Sequence, residues 1–77
     1  MKKQNEMRRQ IVGPCTEKEL NEIRTGLVKM GEKVERLAMF NQCQMVYFEE
    51  YNSEWCTGDL QEPTITAADF IKTYLQP

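Results

Sequence analysis

The chain has 77 residues, 40% of them hydrophobic and 29% charged, and its ten Lys and Arg against twelve Asp and Glu give a net charge of −2. That length bounds it to one small domain near the size where a single core becomes marginal, and that composition belongs to a folded chain rather than a disordered one. No apolar run approaches the ~20 residues that span a bilayer, no apolar segment follows the basic N-terminus as a secretory signal requires, and histidine is missing. The expectation is a cytoplasmic protein with no membrane contact.

Residues 1–10 carry Lys2, Lys3, Arg8 and Arg9 against the single acid Glu6. Nothing in them has apolar periodicity, so they read as a basic, mobile arm ahead of one domain over 11–77. The same four cations make a nucleic-acid arm the alternative reading. Without interleaved aromatics they fall short of the usual footprint of such proteins, and the pI near 5 opposes it, which argues against nucleic acid as a partner. Ile11 and Val12 make a short strand or lie under the first helix, and Gly13-Pro14 then stops regular structure.

A helix start follows. Thr16 is the N-cap and Glu19 its N3 partner, the T-x-x-E box in which side chain and backbone satisfy each other's donors, with Cys15 placed to staple onto Leu20. Leu20, Ile23, Leu27, Met30, Val34 and Leu37 then recur at alternating steps of three and four, a helical stripe. Two readings compete: one helix from Thr16 to Phe40 that dimerises as a coiled coil, or a helix over 16–30 stopped by Gly31. Gly26 and Gly31 would each cost a continuous helix roughly 1 kcal/mol, which favours the stop. Residues 32–40 then become a first strand, although Arg36 shares its apolar side while Leu37 and Met39 lie opposite.

Asn41-Gln42 turns the chain into Gln44–Glu50, whose Val46, Tyr47 and Phe48 favour a half-buried pleated surface. The polar break Glu50-Tyr51-Asn52-Ser53 suits a hairpin turn into a last strand over 54–57 that carries Trp55. A loop over 58–63 follows. Thr66 caps a final helix over 66–75, with Asp69 at N3 and Ile65 stapled onto Phe70. The fold class is α+β: a helix, a three-stranded antiparallel meander over about 33–57 and a short C-terminal helix. The expected core is Leu20, Ile23, Leu27, Val34, Val46, Phe48, Trp55, Ile65, Phe70, Ile71 and Tyr74.

Chemistry is sparsely written. Cys15, Cys43 and Cys56 have long spacings and no histidine to join them, so no metal site or cofactor is expected. They read as reduced thiols serving as small apolar residues, with a Cys43–Cys56 bridge open in an oxidising preparation. Glu49 and Glu50 are adjacent and point to opposite faces of a strand, so they form no catalytic pair. Glu49 and Glu54 come close only across the hairpin, where such charges serve solubility. The glycines are isolated and make no phosphate loop. The chain reads as a non-enzyme.

What stands out is charge segregation. Between Arg36 and Lys72 there is no basic residue, while Glu49, Glu50, Glu54, Asp59, Glu62 and Asp69 all fall there. The same interval holds Tyr47, Tyr51 and Trp55, the aromatic types that anchor interfaces. Val46-Tyr47-Phe48, Glu54-Trp55 and Ile65-Thr66-Ala67-Ala68-Asp69-Phe70, in that order behind a capped helix, resemble small proteins of phages and mobile elements. The resemblance spans about 16–75 and implies an accessory or inhibitory protein; it transfers no site residue. The functional expectation is a small binding protein that docks the acidic, aromatic-bearing hairpin face, Glu49, Glu50, Tyr51, Glu54 and Asp59, on a basic protein surface. A structural homo-oligomer, built on the Leu20–Leu37 stripe or a sheet edge, is the other alternative.

Overall fold

In the computed structural model the described residues are 2–37, 44–58 and 62–76, with the side chains of Lys2, Lys3 and Gln44 outside the description. The elements are α1 (Lys2–Arg8), β1 (Ile11–Cys15), α2 (Glu17–Lys29), β2 (Gln44–Glu49), β3 (Glu54–Gly58) and α3 (Ala67–Phe70), the last continuing as a π-helical turn over Ile71–Leu75. The fold is α+β, with helices against an antiparallel sheet of order β1-β2-β3.

Both expected caps form. Thr16 Oγ1 accepts from the Glu19 amide at 3.1 Å and Glu19 Oε1 accepts from the Thr16 amide at 2.9 Å, a complete capping box at the start of α2. Thr66 Oγ1 accepts from the Asp69 amide at 3.1 Å at the start of α3. The end of α2 is a Schellman motif: the Glu32 amide reaches Leu27 O at 2.9 Å, the Gly31 amide reaches Val28 O at 3.0 Å, and Gly31 takes φ +82°. The single long helix through Phe40 is thereby excluded. Gly26 has a separate reason. A Cβ built there would lie 3.0 Å from Leu75 Cβ, so the missing side chain lets the π-helical turn close on α2.

The sheet differs from the expected meander in its first strand. Residues 32–37 form no strand; they run beside β3, where Lys33 O accepts from the Trp55 amide at 3.0 Å and Arg36 makes a single parallel bridge to Cys56. Residues 38–40 and the expected turn at Asn41-Gln42 lie outside the described residues. The strand position is taken by Ile11–Cys15, which pairs with β2 as Ile11↔Tyr47, Val12↔Val46 and Cys15↔Gln44. Between the last two pairs β1 spends one residue more than β2, so Gly13-Pro14 makes a bulge rather than ending the strand. The bulge lets Val12 and Cys15 both be buried, which plain alternation would forbid.

Register assigns the faces. Phe48↔Trp55 and Val46↔Thr57 share the core face; Glu49↔Glu54, Tyr47↔Cys56 and Met45↔Gly58 share the other. Beneath the core face Trp55 lies edge-on to Phe48 and to Phe70, with centroids 5.5 and 5.8 Å apart, and Phe70 continues the stack to Tyr74 at 5.3 Å. Leu20, Ile23 and Leu27 of α2 and Ile71 complete the expected core, with Val34, Phe48 and Ile65 at its margin. Met7, Val12, Cys15 and Leu37 are buried with them. Met7 belongs to α1: the stretch expected as a basic arm is, over Lys2–Arg8, a helix docked on the domain. Among the described residues no helix is long and apolar enough to cross a membrane.

Candidate functional site

The β2–β3 register sets Glu49 directly opposite Glu54 at the turn end of the hairpin. Like charges in that position repel. Arg36 relieves them, its Nη1 standing 3.5 Å from Glu54 Oε1 and 4.0 Å from Glu49 Oε2. The sequence expectation of a face without a compensating cation is therefore corrected at these two residues: folding brings Arg36 beside β3 and over them. Glu49 is further engaged by the Cys56 thiol, which donates to Oε2 at 3.6 Å. Burial, and then this contact with Glu49, push the Cys56 thiol above its ordinary pKa and keep it protonated.

Beyond the pair comes the turn. Asn52 Nδ2 donates to Glu49 Oε1 at 3.0 Å, the Ser53 amide donates to Glu50 O at 3.3 Å, and Ser53 sits at φ +54°. A non-glycine residue in that region costs of order 1 kcal/mol, so the turn is held by its hydrogen bonds rather than by preference. The result projects Tyr51 outward with 93% of its surface exposed. Glu50 is exposed beside it, and its carboxylate has no partner among the described residues. Asp59, the remaining member of the expected face, lies outside the described residues. The turn thus gathers Glu49, Glu50, Tyr51 and Glu54 at one end of the sheet.

On the core side the same turn borders α1. Glu50 and Ser53 share a small cleft with Asn5, Arg8, Arg9 and Phe48. Arg8 is not free to act as part of an arm, because its guanidinium lies 4.6 Å over the Phe48 ring and forks onto Glu32 at 2.8 and 3.1 Å. Arg9 is exposed, and the side chains of Lys2 and Lys3 lie outside the description.

Glu32 is the residue that sequence reasoning missed. The sequence pattern puts it at the start of a strand, yet its side chain is 1% exposed. Arg8, Gln4 and the Trp55 indole, whose Nε1 donates at 2.8 Å, converge on its carboxylate. Burial pushes the Glu32 carboxyl up, but the hydrogen bonds from Arg8, Trp55 and Gln4 outweigh it and hold the group below the usual carboxylate range. The one signal for it in the sequence is Trp55, since a buried indole N–H needs an acceptor. A second link binds α1 to the other end of the chain, where Tyr74 Oη donates to Glu6 Oε1 at 3.0 Å.

Among the described residues no group of three or more carboxylates, thiols or imidazoles is placed to hold a metal ion. The other described thiol, Cys15, is pushed up to about 11 by burial and by Glu19. Compared with known protein families, curated proteins and solved structures, the chain finds no match.

Proposed function

We propose that this is a small non-enzymatic binding protein, of the accessory or inhibitory kind, that engages a basic protein surface through the end of the β2–β3 hairpin. Tyr51 supplies contact area, Glu50 supplies free negative charge, and the Glu49–Glu54 pair, partly offset by Arg36, extends that charge across the outer face. The observation that carries the reading is the braced turn. A tyrosine 93% exposed is not there for its own core, and the hydrogen bonds from Asn52 and Ser53 fix its direction before any partner arrives. Tyrosine is among the residues that dominate binding energy at interfaces.

The alternatives draw less support. A nucleic-acid arm would lose Arg8 to Glu32 and Phe48, and a coiled coil would have to reuse Leu20, Ile23 and Leu27, which are buried in the chain's own core.

The test is affinity capture from lysate with immobilised wild type, Tyr51→Ala and Glu50→Lys side by side. A basic protein retained by the wild type and lost from both variants at unchanged melting temperature supports the reading. Equal retention by all three makes the turn a merely solvated surface. Glu54→Lys is a poor probe, because it would set a second cation against Arg36.

A further inference from the structure

We propose that the seat of α1 is a binding site for an arginine-bearing segment of a partner protein, and that α1 is its removable in-chain occupant. Seven residues are too few to stay helical in water unaided, so the form of α1 depends on what it sits against. The seat has the Glu32 carboxylate as its floor, Trp55 and Phe48 as its aromatic wall and Tyr74 at its far end. Among the described residues α1 reaches it through side chains alone: Met7 is buried, Arg8 forks onto Glu32 and lies over Phe48, Gln4 joins the same carboxylate, and Glu6 accepts from Tyr74. The main-chain bonds at its end, Arg9 N to Glu6 O and Gln10 N to Met7 O, stay within the segment. It can therefore leave without breaking a strand.

A buried carboxylate is a poor device for stability, since an apolar residue of similar volume commonly holds a helix as well or better. What it adds is selectivity. Left unpaired it rejects apolar and acidic occupants, whereas a guanidinium meets both its oxygens in one plane and stacks on the neighbouring ring. The seat thus selects an arginine preceded by an apolar side chain, the pattern of Met7-Arg8. The cleft lined by Asn5, Arg8, Arg9, Phe48, Glu50 and Ser53 joins it to the turn that carries Tyr51. A basic partner docked on that turn lies alongside α1. The inference extends the reading above to a second surface and stands on different residues.

Trp55 is the single tryptophan, and its indole donates to Glu32, so its N–H resonance reports this seat alone. The probe is the peptide KKQNEMRRQ, residues 2–10, added to the full chain carrying Arg8→Ala; the control peptide has alanine in place of the first arginine. The expected result is an indole signal displaced by Arg8→Ala and restored by the peptide but not by the control. The wild-type chain should take up the peptide about tenfold or more weakly, because its own α1 competes. A peptide that leaves the Arg8→Ala signal unmoved overturns the proposal. So does an Arg8→Ala chain that no longer folds, since a removable cover is dispensable to the fold. A wild-type chain that dimerises with rising concentration while the signal stays put assigns the seat to a second copy's α1 and also overturns it. Tyr51→Ala leaves the peptide response intact while removing capture of a basic partner, so the two readings fail separately.

Discussion

A carboxylate with 1% of its side chain exposed would be expelled from most cores, yet Glu32 stays because Arg8, Gln4 and Trp55 return the hydrogen bonds it loses to water. Its pKa is depressed in the fold, so it favours folding fully above the unfolded carboxyl value of about 4.3, and the benefit disappears as pH falls through the lower folded value. Melting temperature followed from pH 6 downward should therefore drop in the wild type below about pH 4.5. Glu32→Gln should start lower and lose less over the same range, because its amide cannot titrate. A variant with the wild-type stability at pH 6 and the same acid limb would show that Glu32 is not held as described. Burying the charge was not legible in advance: nothing in Gly31-Glu32-Lys33 distinguishes it from an exposed loop, and only the distant Trp55 asks for an acceptor.

At the scale of elements, the helix boundaries are the most legible feature because capping is local chemistry. T-x-x-E at Thr16 and the glycine stop at Gly31 carry their own signal, and both form as read. Thr16→Ala and Thr66→Ala should each lower stability by on the order of 1 kcal/mol, seen as lower denaturant midpoints; unchanged midpoints would mean the caps are idle. Gly31→Ala should cost a similar amount, since φ +82° is strained for any residue with a Cβ. Gly26→Ala would gain about 1 kcal/mol in an open helix. Here it should yield no gain, because the new methyl meets Leu75 at 3.0 Å. The first strand was less legible. Ile11-Val12 is too short to declare itself, and the extended chain over 32–37 imitates a strand because it lies along one. Bulge geometry and the pairing of β1 with β2 depend on contacts between residues far apart in sequence, such as Val12 with Val46 and Cys15 with Gln44, which local pattern does not encode.

For the molecule as a whole, both sheet edges are covered. On the β1 side Ile65 O accepts from the Gly13 amide at 3.2 Å and Ile11 O accepts from Thr64 at 2.8 Å, while on the β3 side Lys33 O accepts from Trp55. Covered edges offer little template for strand addition, and the α2 stripe is buried, so sedimentation should show one monomeric species across a wide concentration range. A concentration-dependent dimer would reopen the homo-oligomer. Of the expected binding face, Tyr51 and Glu50 are as exposed as their turn position implies, whereas Glu49 and Glu54 are partly engaged by Arg36. Charge counting along the chain registered the gap between Arg36 and Lys72 but not that the chain folds Arg36 back over it.

The docking role proposed for the turn is tested most directly by comparing how fast a basic protein captured by the wild type dissociates from it and from Tyr51→Ala at matched salt. Loss of a tyrosine anchor worth ~2 kcal/mol should speed dissociation roughly thirtyfold, while the melting temperature stays unchanged because the ring contributes nothing to the core. Identical dissociation from the two proteins would contradict the account.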